Sequence, residues 1–340
     1  VREANASYTK AIELRPDFHE AHNNLGNALK ESDKLHEAKA SYIRALQLRS
    51  DYPEAHSNLG VVYERLGLFE QAEASYSRAI ALDPTFVEAH YNLGNSRQRM
   101  GKFKEAETNY EQVILLQPDH ASAKHMLAAL TGTITKNAPH DYVEGLFDDY
   151  ADSFDDSLVT KLGYQTPTLL KDMITKEISS KHLGSIIDLG CGTGLFGEQI
   201  KTLCENLEGV DLSGKMLVEA KKKNLYNKLI KQDIETFLLT YPLSFDYFVA
   251  TDVFVYIGDL TEIFRLIKAR NALGGKLLFS TEDCDGSSFS LERSGRYSHS
   301  KGYIECLARR FGYNLRCFEK HTLRKDGHNH ILGGLYMLDF

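Results

Sequence analysis

The first third of this chain repeats itself every 34 positions. Ala4, Ala38, Ala72 and Ala106 fall in step, as do Tyr8, Tyr42, Tyr76 and Tyr110. Gly26, Gly60 and Gly94 recur, each after Asn-Leu, and Pro16, Pro84 and Pro118 close their repeats with Ser50 in the fourth place. A period of this length holds two helices and their turns, and one such unit cannot bury its own apolar face. Small residues let paired helices approach closely, aromatics fill the gaps, and proline stops the second helix. Residues 1–130 therefore have to stack into a helical solenoid, with three full repeats, a partial first one and a closing helix at Ala121–Leu130. Val1–Pro16 is a second helix without its first, which predicts further repeats before Val1.

These positions follow the tetratricopeptide (TPR) pattern. The resemblance implies a concave groove, lined by the first helices, that takes a protein or peptide partner. Here that face offers His22, Asn23, Asn27, His56, Asn58, Asn92 and Asn95, and the asparagines would bond the backbone of a bound chain. A spacer or a dimerisation surface is the alternative use of the same array.

Thr131–Pro139 lacks helical periodicity and carries Gly and Pro, so 131–139 reads as a linker between 1–130 and a second domain at 140–340. In that domain residues 185–197 read SIIDLGCGTGLFG: a β-branched run, Asp188, then Gly190, Gly192, Gly194 and Gly197 ahead of a helical stretch. Glycines let a backbone take positive φ and approach a ligand closely, and the helix start offers free N–H groups. Asp211 ends a second strand-like run, Leu207–Val210. Strand, glycine turn, helix, strand and acid form the order that holds a ribose. Gly192-x-Gly194-x-x-Gly197 also satisfies a dinucleotide pattern, which leaves NAD and an oxidoreductase as a minor alternative.

The block Asp188-Leu-Gly-Cys-Gly-Thr-Gly194 resembles the first motif of class I S-adenosylmethionine (SAM)-dependent methyltransferases. Glu208–Leu217 is similar to their second motif, Gln232-Asp-Ile234 to their third, Phe245–Asp252 to their fourth strand, and Leu273–Ser280 to the turn into their fifth. Together with the repeats, this resembles a predicted bacterial TPR-methyltransferase family. The resemblance implies a helical solenoid followed by a Rossmann-like α/β domain with a seven-stranded, mostly parallel sheet. It implies SAM as cofactor, with Asp188, Gly190, Gly192, Gly194, Asp211, Leu212, Asp233, Ile234 and Thr251 around it. A scaffold whose methyltransferase fold is catalytically silent remains the alternative from another class.

His140–Asp156 carries aromatic residues at three- and four-residue steps on an acidic background. By resemblance, helices over 140–180 form a lid, in which Tyr142 or Tyr150 touches the cofactor and offers a ring face to its sulfonium. A helix is expected from Thr166-Pro167 through Ile178.

Acceptor chemistry belongs beyond the carboxyl ends of strands four and five. Asp252 and Tyr256 follow strand four, Glu282 and Asp283 follow strand five, and His299 precedes a helix at Lys301–Arg310. A histidine is the natural base for a phenol, amine or hydroxyl, so His299, Tyr256 and Asp252 are the candidate catalytic residues. No N-P-P-Y-type tetrapeptide follows strand four, where Asp252-Val-Phe-Val255 stands, and by resemblance this argues against amino-methylation of DNA bases or glutamine.

Composition narrows the partners. A formal charge of −7 argues against a nucleic-acid or membrane-surface binder. There are 5 cysteines, an odd count with no C-x-x-C pair, which points to reduced thiols in a cytoplasmic protein. His328 and His330 lack the partners of a zinc site, so no metal is expected.

Overall fold

The computed structural model describes residues 2–151, 154–177, 182–271, 274–326 and 329–340. Ile178, Leu273, His328 and parts of the expected 140–180 lid lie outside them. The chain divides into two compact units, Val1–Thr131 and Gly132–Phe340.

The first unit is a run of antiparallel helices: α1 (Arg2–Leu14), α2 (His19–Glu31), α3 (Leu35–Leu48), α4 (Pro53–Arg65), α5 (Phe69–Leu82), α6 (Val87–Arg99), α7 (Phe103–Leu116) and α8 (Ala121–Thr131). One contact explains the period. A Cβ on Gly26 would lie 2.6 Å from the Tyr42 ring, and Gly60 with Tyr76 and Gly94 with Tyr110 repeat this at 2.6 and 2.7 Å. Only glycine lets each tyrosine slide against the preceding helix, where all three are wholly buried. The hydroxyls then find a polar atom inside the array, as buried phenols must. Tyr42 donates to Asn27 at 2.6 Å and Tyr110 to Asn95 at 2.8 Å. Between them Val61 replaces the asparagine, and Tyr76 turns to Glu64 at 3.0 Å. Asn27 and Asn95, expected to bond a partner, thus already hold internal bonds.

The second unit is a doubly wound sheet. Its strands are β1 (Ser185–Leu189), β2 (Asn206–Asp211), β3 (Lys228–Lys231), β4 (Tyr247–Ala250), β5 (Lys276–Glu282), β6 (Phe289–Leu291), β7 (Tyr297–His299), β8 (Asn314–Asp326) and β9 (Asn329–Asp339). The order β3-β2-β1-β4-β5 is parallel, and β9 then β8 continue it antiparallel. Helices α9 (His140–Tyr150), α10 (Thr166–Glu177), α11 (Leu195–Ile200), α12 (Gly214–Lys222), α13 (Ile234–Thr240), α14 (Thr261–Arg270) and α15 (Lys301–Phe311) surround it. Both faces are apolar, as a covered parallel sheet requires. Ile187, Phe248 and Phe279 enter one core, and Ile186, Val249 and Leu278 the other.

The sheet has nine strands among the described residues, not the seven expected. Seven of them make the anticipated sheet, and the excess is the hairpin β6–β7. Ala250 ends β4 opposite Phe279, so the edge of β5 beyond that point is vacant until Ser298 of β7 pairs with Glu282.

The expected linker also behaves differently. From Thr135 onward it is bonded into the second unit. The Lys136 carbonyl accepts from the amides of Gly258 (2.8 Å) and Asp259 (2.9 Å), and the Ala138 amide donates to the Tyr256 carbonyl at 3.0 Å. Thr135 and Tyr297 share a hydroxyl bond of 2.5 Å. This strap is built largely of backbone pairing, which leaves little side-chain pattern to read.

Candidate active site

The turn after β1 holds three consecutive alternating glycines at positive φ: Gly190 (+69°), Gly192 (+53°) and Gly194 (+90°). Their reasons differ. A Cβ on Gly190 would stand 2.5 Å from Val253, whereas one on Gly192 would meet nothing within 4 Å. The backbone at Gly192 therefore borders open space, where a ligand can approach it.

Asp211 ties this turn to the end of β2. One carboxylate oxygen accepts from the Gly192 amide at 2.8 Å, and the other from the Ser213 amide at 2.8 Å. Burial pushes its carboxyl up to about 6 against these bonds, and the negative charge of Asp148 adds to the rise. Asp188 is fully buried. It accepts from the Tyr226 hydroxyl at 2.7 Å, and its second oxygen has no partner within the fold. Burial lifts it to about 7, with Tyr226 opposing and Asp211 assisting. Asp233 starts α13 and accepts from the Thr236 amide at 2.9 Å, while the next residue, Ile234, is buried. Leu212 and Thr251 are half-buried beyond β2 and β4.

Helix α9 meets these loops through acids. Asp148 accepts from the Ser213 hydroxyl at 2.5 Å, and Glu144 pairs with Lys231 at 2.7 Å. Further on, Asp155 bonds the Thr193 hydroxyl and pairs with Lys223 at 2.6 Å. Tyr142 is half-buried and Tyr150 is 43% exposed. Phe147 sets its ring edgewise to Tyr256, with centroids 5.3 Å apart.

Beyond β4 and β5 lies a closed quartet of charges. Arg296 donates to Glu282 at 2.7 Å and to Asp252 at 3.1 Å, and Arg324 reaches the same two at 2.6 and 3.3 Å. The third arm of Arg296 donates to the Tyr256 hydroxyl oxygen at 2.8 Å. Asp252 adopts φ +59°, and its amide donates to the Ser280 hydroxyl at 2.8 Å. A left-handed non-glycine residue costs energy and concentrates at functional sites. Asp283 pairs with Lys320 at 2.5 Å, outside the quartet.

His299 is wholly buried. Its Nε2 lies 3.0 and 2.9 Å from the carbonyls of Ile257 and Gly258, so the proton sits on that nitrogen and the ring ties down the loop. Burial pulls its pKa down to about 4, and Nδ1 is enclosed without a partner. The ring is therefore neutral and shut away, unlike the accessible base that residue type alone suggests. Tyr226, Arg296, Arg324 and Asp148 escaped sequence reasoning. Arg296 stands three positions before His299, but nothing local marks its role or that of the others.

Comparison with known proteins finds a methyltransferase family and repeat families in this chain. A family described as methyltransferase domain matches residues 186–275. Tetratricopeptide-repeat families match 7–40, 26–67, 53–86 and 87–120. The chain is 31% identical over 116 residues to a malonyl-[acyl-carrier protein] O-methyltransferase of Bacillus anthracis, covering 33% of this chain and 42% of that one. It is 29% identical over 100 residues to a ubiquinone biosynthesis O-methyltransferase of Paraburkholderia phymatum, covering 28% and 43%. The chain thus spans less than half the length of these relatives. The crystal structure of an S-adenosylmethionine-dependent methyltransferase from Clostridium acetobutylicum aligns with 56% of this chain and 97% of its own, at 18% identity and a TM-score of 0.42. Residues 186–275 of the second unit thus match a methyltransferase domain. The chain joins tetratricopeptide repeats to a methyltransferase domain. No helix among the described residues is long and apolar enough to cross a membrane.

Proposed function

We propose that this protein transfers a methyl group from SAM to a small-molecule or protein acceptor, and that its repeats recruit a protein or peptide. The observation that carries this reading is Asp211, held by the Gly192 and Ser213 amides at the mouth of the glycine turn. A carboxylate has about four acceptor sites, so it keeps lone pairs for the two ribose hydroxyls. The fit extends to Asp188, whose unpartnered oxygen stands ready for a donor, and to the space beside Gly192. Gly190, Gly192 and Gly194 would give the cofactor access to the backbone, Leu212, Asp233, Ile234 and Thr251 would line its site, and Tyr142 or Tyr150 would touch it from the lid. The cofactor supplies a methyl group already activated by the sulfonium charge.

What remains for the protein is alignment and exclusion of water, which are worth roughly 7–11 kcal/mol in well-oriented reactions. Tyr256 and Asp252 form the acceptor wall. The Tyr256 oxygen accepts from Arg296, which leaves its own O–H to donate to an incoming group. In this reading His299 positions the loop that carries Tyr256, and the proton of a protonated acceptor would pass to Asp252 or to solvent water. A reducing, cytoplasmic location rests on the cysteine pattern.

Calorimetric titration of SAM and of NAD, separately, into the full chain tests the cofactor. Heat from SAM alone is expected. Binding of NAD alone assigns an oxidoreductase, and binding of neither leaves a scaffold. Incubation of cell extract with methyl-labelled SAM then identifies the acceptor.

A further inference from the structure

We propose that Asp148 is a positioning residue of the cofactor site, acting on Asp211 through Ser213. This deepens the SAM-binding reading above and rests on it. Asp148 stands on α9, far in sequence from the glycine turn, yet its carboxylate reaches the turn beyond β2. It accepts from the Ser213 hydroxyl at 2.5 Å and from the Lys215 amide at 3.4 Å, while the Lys215 ammonium bonds the Asp148 carbonyl at 3.2 Å. The same Ser213 hydroxyl accepts from the Met216 amide at 3.1 Å as the cap of α12. The Ser213 amide in turn donates to Asp211 at 2.8 Å. One residue is thus fixed at its hydroxyl by Asp148 and fixes Asp211 with its amide. Ser213 is fully buried, so the linkage has little room to swing.

The same contact is electrostatically unfavourable to the protein alone. Asp148 adds negative charge beside Asp211, which already has Asp188 near it from β1 and Cys191 near it from the turn. Lys215 on α12 and Lys231 at the end of β3 are the cations on this side, bonded to Asp148 and Glu144. A ligand that brings hydroxyl donors and positive charge relieves that crowding. Asp148 consequently does two separable things: it sets the Ser213 turn, and it raises the affinity of Asp211 for a proton.

Two variants of the full chain separate them, with SAM affinity measured by calorimetry from pH 5 to pH 8. In the wild type, affinity should fall as pH drops through about 6, where Asp211 takes up its proton. Asp148→Asn should weaken binding about tenfold at pH 8, the scale of one charge-assisted bond, and move the midpoint to lower pH. Ser213→Ala should weaken binding similarly but leave the midpoint where it was, because the charge remains. Asp148→Glu should restore the wild-type midpoint. Wild-type affinity and midpoint in Asp148→Asn overturn the proposal, as does an equal midpoint shift in Ser213→Ala. A wild type that binds no SAM at any pH overturns the SAM reading itself and this inference with it.

Discussion

Tyr226 holds Asp188: its hydroxyl donates at 2.7 Å to a carboxylate with no exposed surface, while its ring fills the space that side chains at Gly194 and Gly197 would need. The sign of the resulting pH dependence follows from burial. Asp188 has a folded-state pKa of about 7, above its ordinary value. Its contribution to stability is therefore full in acid and lost as pH rises through about 7. Tyr226→Phe removes the one bond that favours the charged form. It should cost about 1–3 kcal/mol at pH 8 and clearly less at pH 5, read from urea unfolding. Equal losses at both pH values would refute the pairing.

Asp211→Ala should abolish useful SAM binding while the far-ultraviolet circular dichroism spectrum stays native. Each charge-assisted bond is worth about 1.5–3 kcal/mol, so affinity should fall tenfold or more. Unchanged calorimetric affinity would remove Asp211 from the site.

The charge quartet makes a stability prediction. Arg296→Gln leaves Asp252 and Glu282 sharing only Arg324 in a nearly closed environment. Breaking such a buried network costs about 3–5 kcal/mol, and Arg296→Lys should cost less while still losing the forked geometry. Guanidinium unfolding checks both. A loss under about 1 kcal/mol for Arg296→Gln would mean that the quartet behaves as a surface pair.

The strap sets where the methyltransferase domain begins. A chain starting at Gly132 keeps the bonds of Thr135, Lys136 and Ala138. One starting at Asp141 loses them and strands the amides of Gly258 and Asp259. The longer chain should melt cooperatively and bind SAM, and the shorter should melt several degrees lower. Identical melting of the two would show that the strap adds nothing.

How much of this was visible in the chain depends on the range of each interaction. Gly26 and Tyr42 announce themselves because the same pair returns at Gly60 and Gly94. The turn at Gly190–Gly194 and Asp211 are legible because backbone φ and strand ends constrain residue type locally. Arg324 could not be found this way: its partner Asp252 lies 72 positions earlier, and no period connects them. The hairpin β6–β7 is short and pairs with β5 at one residue, too little to leave an alternating pattern. For His299 the residue type suggested a base, and only three dimensions reveal the ring sealed against two carbonyls.

Gly258 has a Cβ position crowded from three directions: the Tyr297 ring at 2.6 Å, the Lys136 carbonyl at 2.7 Å and the Phe289 ring at 2.7 Å. With its amide given to Lys136 and its carbonyl to His299, this residue has almost no conformational freedom left to lose. The ordering entropy of the loop that bears Tyr256 is spent when the domain folds, so an arriving acceptor meets a preorganised surface and keeps more of its contact energy as affinity. Any side chain at Gly258, even a methyl group, would return that entropy cost to the binding step.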